Sequence, residues 1–155
     1  MKTKITTLAA LVASLAFATA AAKIKAPNNG RIIDSVEPHA EFLISKDQKI
    51  EIRFLDDAGK VVAPAEQSVT VTMGDRSAPT KLAFARDGDK LVSDKVIPKG
   101  KDLPVVVQFK TTADAKSVTE KFNLNLADCP TCEHPEYACT CDHAGDEKGH
   151  EGHKH

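Results

Sequence analysis

The stretch that decides the fold is Lys49-Ile50-Glu51-Ile52-Arg53-Phe54-Leu55-Asp56-Asp57-Ala58-Gly59. Ile50, Ile52 and Phe54 alternate with Lys49, Glu51 and Arg53. Side chains on a strand point alternately to opposite faces, so this run has one apolar face and one wet face. Asp56-Asp57-Ala58-Gly59 then supplies residues whose backbones accept the dihedrals of a reversal.

The same grammar repeats on both sides. Ala40, Phe42 and Ile44 alternate with Glu41 and Ser45; Val69, Val71 and Met73 alternate with Ser68, Thr70 and Thr72. Val105, Val107 and Phe109 line one side of a later run, and Phe122, Leu124 and Leu126 line one side of the last. Asp87-Gly88-Asp89 is a hairpin signal between Leu82-Ala83-Phe84 and Leu91-Val92. Glu120 interrupts the apolar alternation of the last run. No amphipathic helix emerges. Seven or eight short antiparallel strands in about 105 residues predict an all-β fold, an antiparallel β-sandwich of immunoglobulin-like type. Closure into a small barrel is the alternative, because the tryptophan and inter-sheet cysteines of immunoglobulin domains are missing.

Outside these strands the chain changes character twice. At the N-terminus, Lys2 and Lys4 precede an uncharged run from Ile5 to Ala22, with small residues at Ala18-Thr19-Ala20 and Ala20-Ala21-Ala22. This is the three-part pattern of a cleaved secretory signal, expected over 1–22. A membrane anchor is the competing reading, but the run is diluted by alanine and threonine and is short for a span. The expected location is the periplasm or the exterior, with no membrane association after cleavage. The strand-rich body is expected over 23–127, and a third region over 128–155.

That third region is a different polymer. It holds seven of the 22 acids, all four cysteines and five of the six histidines. The body is almost neutral and has no basic stripe interleaved with aromatics, so no nucleic-acid partner is expected. Nor does the body show a nucleophile elbow, a phosphate-binding glycine loop or a paired-acid motif, so no enzyme is expected. Glu37, His39 and Glu41 alternate and would share one side of a strand as a weak metal face. The blander reading is a solvated strand entrance.

Cys129-Pro130-Thr131-Cys132 is followed, after six residues, by Cys139-Thr140-Cys141, with His134 and His143 each two places after a pair. Thiolate and imidazole are the donors that zinc and copper prefer. A C-x-x-C turn brings two sulfurs to one side, and a C-x-C does so when its middle residue is extended. The predicted ligands are therefore Cys129, Cys132, Cys139 and Cys141, supported by His134 and His143. His150, His153 and His155 form a loose chelating extension suited also to nickel. Their irregular spacing is unlike an expression tag. With few apolar residues besides Tyr137 and the alanines, the segment is expected to need metal or disulfides for order. Export brings disulfides into competition, since oxidising compartments convert thiols to cystines. The easiest staple joins one cysteine of each pair. A redox role for the C-x-x-C pair is a third reading, but it lacks the helix N-terminus that lowers a thiol pKa.

Pro27-Asn28-Asn29-Gly30-Arg31-Ile32-Ile33, Glu37-Pro38-His39-Ala40-Glu41-Phe42, and Leu55-Asp56-Asp57-Ala58-Gly59-Lys60 with Pro64 together resemble a small β-sandwich module. That module accompanies bacterial heavy-metal efflux systems, near or within periplasmic adaptor proteins. Asn29 stands where such modules often carry another glycine. The resemblance implies a periplasmic metal-handling setting, with His39 as a secondary metal candidate. Together these readings predict an exported protein that sequesters, delivers or senses zinc or copper, with a metal efflux system or metallochaperone as partner. The contrasting expectation is a structural or adhesion module with a disulfide-stapled tail that binds another protein.

Overall fold

The computed structural model describes residues 24–141. The expected signal peptide, and His143, His150, His153 and His155, lie outside the described residues. Among the described residues nine strands form in chain order: β1 (Arg31–Ile33), β2 (His39–Ile44), β3 (Lys49–Leu55), β4 (Val61–Val62), β5 (Ser68–Met73), β6 (Thr80–Asp87), β7 (Lys90–Val96), β8 (Leu103–Lys110) and β9 (Val118–Leu124). Every pairing is antiparallel, and the order across the sheet is β1-β2-β3-β7-β6-β5-β8-β9, with β4 added beside β3. The protein is thus an all-β antiparallel sandwich, as the alternation predicts.

Strand β6 joins the two layers. Its first half, Thr80–Ala83, pairs with β5, and its second half, Phe84–Asp87, pairs with β7. A strand that passes from one layer to the other turns a sandwich corner and makes the sheet nearly closed and barrel-like. The remaining seam lies between β1 and β9 and is bridged by side chains. The Arg31 guanidinium sits 4.7 Å from the centre of the Phe122 ring, a cation–π arrangement. Phe42 meets Phe122 edge-on at 5.1 Å. Ser35 donates its hydroxyl hydrogen bond to Glu120. Glu120 therefore interrupts the apolar alternation because its position falls on the open seam, where a polar partner waits.

The period-two faces meet in one core. Phe42, Ile50, Ile52, Phe54, Val71, Met73, Leu82, Val105, Val107, Phe109 and Leu124 are all buried in it. A bulge between Lys49 and Glu51 interrupts the β3–β7 ladder. There the buried Ser93 hydroxyl accepts from the Ile50 N–H (3.0 Å) and donates to the Lys95 carbonyl (2.7 Å). A polar group inside a core is tolerated when it is bonded in this way.

Two expectations need correction. Leu126 does not continue the inward face of the last strand: β9 ends at Leu124, and Leu126 is 42% exposed. The Asn125 side chain accepts from the Ala127 N–H (3.0 Å), and its carbonyl accepts from the Tyr137 N–H (3.1 Å). These bonds turn the chain out of the ladder before Leu126. Glu41, second, is not open to join Glu37 and His39 in a metal face. It is fully buried, with its carboxylate accepting from the Asn28 N–H (2.8 Å), the Asn28 side-chain amide (2.8 Å) and the Gly30 N–H (2.9 Å). The segment before β1 thus folds over β2 and covers it. Only glycine fits at position 30, because a Cβ there would lie 2.6 Å from the Phe42 carbonyl oxygen and 2.8 Å from Glu41 Cγ.

Candidate metal centre

The cysteine segment begins where β9 stops. Asp128 and Pro135 form an isolated bridge, and the Glu136 N–H donates to the Ala127 carbonyl (2.8 Å), so residues 128–136 close into a tight loop. Inside it the Cys129 N–H donates to the His134 carbonyl (3.0 Å). A single 3-10 turn, Glu136–Ala138, follows, with Pro135 leading into it. Apart from these features the segment lacks regular structure.

It is nevertheless docked. Tyr137 and Ala138 are buried in the same core as the strands. The Tyr137 ring meets Phe42 edge-on at 6.0 Å. Its hydroxyl accepts from the Ile44 N–H (3.3 Å), and its carbonyl accepts from the Arg31 guanidinium (3.3 Å). Within the described residues 128–141, packing of Tyr137 and Ala138 against the strands adds order beyond any that metal or disulfides supply. One aromatic ring buries a large area, and its polar tip finds a backbone donor, which suffices to pin a short segment.

Tyr137 docks the turn that separates the two cysteine pairs in the chain. The sulfurs of Cys129, Cys132, Cys139 and Cys141 all lie within 4.8 Å of one another, so the group could hold a metal ion. Cys129 and Cys139 approach to 3.3 Å, and Cys132 and Cys139 to 3.7 Å. None of the four is in a disulfide. Four thiolates at a tetrahedral zinc, with bonds of about 2.3 Å, would be separated by about 3.8 Å. The observed spacing is close to that.

Each pair uses the same local device. The Thr131 N–H donates to the Cys129 sulfur (3.4 Å), and the Cys141 N–H donates to the Cys139 sulfur (3.3 Å). In both, the amide two residues on reaches back to the first sulfur of the pair. The consequences for ionisation differ because the sulfurs share protons. The Thr131 N–H, with help from the neighbouring thiols and against partial burial, brings the Cys129 thiol down to about 6. At Cys139 the Cys141 N–H acts in the same downward direction. It is outweighed by burial and by the sulfurs of Cys129, Cys141 and Cys132, which push the thiol up to about 12. The Cys139 thiol lowers Cys141, but Cys132, burial and the like charges of Cys132 and Cys129 outweigh it, and Cys141 is raised. A thiolate forms readily at Cys129, while negative charge at Cys139 and Cys141 is resisted until something positive arrives.

Of the predicted ligands, the structure brings together the four cysteines. His134 does not join the four-sulfur group. Its main-chain carbonyl is used by Cys129, and its ring Nδ1 is buried with no hydrogen-bond partner. A second group, missed as such by the sequence reading, unites Glu37, His39 and Asp57. The alternation rule pointed to Glu41 as the third member. Asp57, in the turn after β3, takes that place, and only the β2–β3 register reveals it. No family model matches this chain, and no curated protein or solved structure matches it.

Proposed function

We propose that this chain is an exported metal-binding protein, not an enzyme, that sequesters, delivers or senses a soft or borderline transition metal, zinc or copper, through its C-terminal cysteines. The observation that carries the reading is the convergence of four sulfurs within 4.8 Å, held there by a docked aromatic residue. Thiolate donors favour zinc and cuprous copper over harder cations. The amide donors at Cys129 and Cys139 stabilise sulfur in its anionic, ligating form. Export to the periplasm or beyond follows from the tripartite N-terminus. The expected partners are a metal efflux system or a metallochaperone, and the histidines of residues 142–155 would gather metal loosely for the thiols.

A second reading rests on the 3.3 Å approach of Cys129 and Cys139. Oxidation would join those two sulfurs, one from each pair, and staple the segment as part of a structural or adhesion module. The untagged mature protein, purified from an oxidising compartment, separates the two. The metal reading expects about one zinc or copper per four sulfurs, held by the thiols and lost from them when Cys132 and Cys139 are both replaced by serine. Protein without titratable thiols, whose cysteines still take up no zinc or copper after reduction, would sink it in favour of the staple.

A further inference from the structure

We infer that Glu37, His39 and Asp57 form a second cation site, built of nitrogen and oxygen donors and suited to a borderline divalent ion such as Zn(II). It is independent of the thiol cluster. The pairing of β2 with β3 begins at His39 opposite Leu55. Glu37 precedes His39 by two residues, and Asp57 follows Leu55 by two. Both carboxylates therefore come from the chain just beyond the last rung of one strand pair, and both reach the same imidazole nitrogen.

The turn after β3 holds Asp57 in place. The Asp56 carboxylate accepts from the Ala58 N–H (3.0 Å) and the Lys60 N–H (2.9 Å), the Gly59 N–H donates to the Asp56 carbonyl (2.8 Å), and Gly59 supplies the φ of +75° that this turn requires. Asp56 is thus consumed by the turn, while Asp57 is left 90% exposed beside the ring.

The distances favour a shared ion over direct bonding. His39 Nε2 lies 3.7 Å from Glu37 Oε2 and 3.8 Å from Asp57 Oδ1. Both gaps exceed the roughly 3.2 Å limit of a good N–H···O bond. Two ligands each about 2.1 Å from one ion are separated by about 3.4 Å at the tetrahedral angle and by more at wider angles. The ring is only 18% exposed, and its Nδ1 is buried without a partner. It is Nε2, the other ring nitrogen, that faces the two carboxylates. Imidazole with two carboxylates selects zinc-like divalent ions and is a poor match for cuprous copper.

The site sits at the far end of β2 from the thiols. Ile44, which anchors Tyr137, is five residues along from His39, about 17 Å at the usual rise of an antiparallel strand. Zinc can therefore be followed at each place separately. In full-length protein titrated with zinc by nitrogen-resolved NMR, the His39 ring and the amides of His39, Asp57 and Ala58 are expected to shift saturably. They should do so equally in a chain whose four cysteines are serine. Asp57→Asn should weaken that response at least about tenfold while leaving the cysteine segment's response intact. His39 signals unmoved by excess zinc, or indifferent to Asp57→Asn, would overturn the second site without touching the thiol reading.

Discussion

The strand body and the cysteine segment meet in one core but reach it by different routes. In the body, β2, β3, β5 and β8 each contribute several inward apolar side chains, and loss of one leaves many others in place. Between residues 128 and 141 only Cys129, Tyr137 and Ala138 are buried. The body is stabilised by the summed area of many side chains; the segment depends on one ring and a few backbone bonds. The sparse anchoring leaves three of its four thiols only partly covered, where a ligand can reach them.

The sharpest way to break this contrast is Tyr137→Ala. It removes the ring, its contact with Phe42 and the acceptor for the Ile44 N–H, and is expected to cost about 3–5 kcal/mol of unfolding free energy. Metal affinity should fall as well, because the thiols lose their platform. Chemical denaturation and zinc competition would measure the two effects. A loss below about 1 kcal/mol, the range of ordinary surface changes, would mean that the segment is only an appendage.

Glu41→Ala probes the body alone. It strips three donors, the Asn28 and Gly30 N–H groups and the Asn28 amide, of their buried acceptor, and should cost about 3 kcal/mol. Thermal unfolding should shift while zinc stoichiometry at the thiols stays the same. A change in stoichiometry would show the two regions to be coupled more tightly than the contacts suggest.

The smallest expected effect is in pH. Ligating sulfur must be deprotonated, so metal binding releases whatever protons the cluster still holds. Cys139, pushed up to about 12, is protonated at neutral pH, whereas Cys129, brought down to about 6, is already largely thiolate. Affinity should therefore rise with pH, by about 1.4 kcal/mol per unit for each proton released, and should weaken further below about 6 as Cys129 also protonates. Proton release during a zinc titration in weak buffer gives the count directly. A titration that releases no protons at neutral pH would contradict the shared-proton picture of the cluster.

Much of this was legible in the residues. The alternation of Ile50, Ile52 and Phe54 located β3 and its inward face, and Asp87-Gly88-Asp89 located the β6–β7 hairpin. The spacing of the cysteines identified the sulfurs that meet. Other features escaped for a common reason. Leu126 has the right period, but a side-chain bond from Asn125 ends the strand first. Glu41 looks like a wet-face acid until the chain before β1 folds back to cover it. Strands β1 and β4, of three and two residues, are too short for any period to show.

Periodicity and donor chemistry are local properties, and the sequence by itself determined them: an antiparallel all-β body, and a C-terminal segment whose side chains suit a soft metal. What only the tertiary structure decided is which groups share a place. The register of β2 on β3 exchanges Glu41 for Asp57 beside His39. The burial of Tyr137 turns a polar segment into a docked one and sets four sulfurs within reach of a single ion. Such proximity depends on contacts between residues distant in the chain, as with the Tyr137 hydroxyl and the Ile44 amide. Those contacts form only when the core that both residues enter has closed.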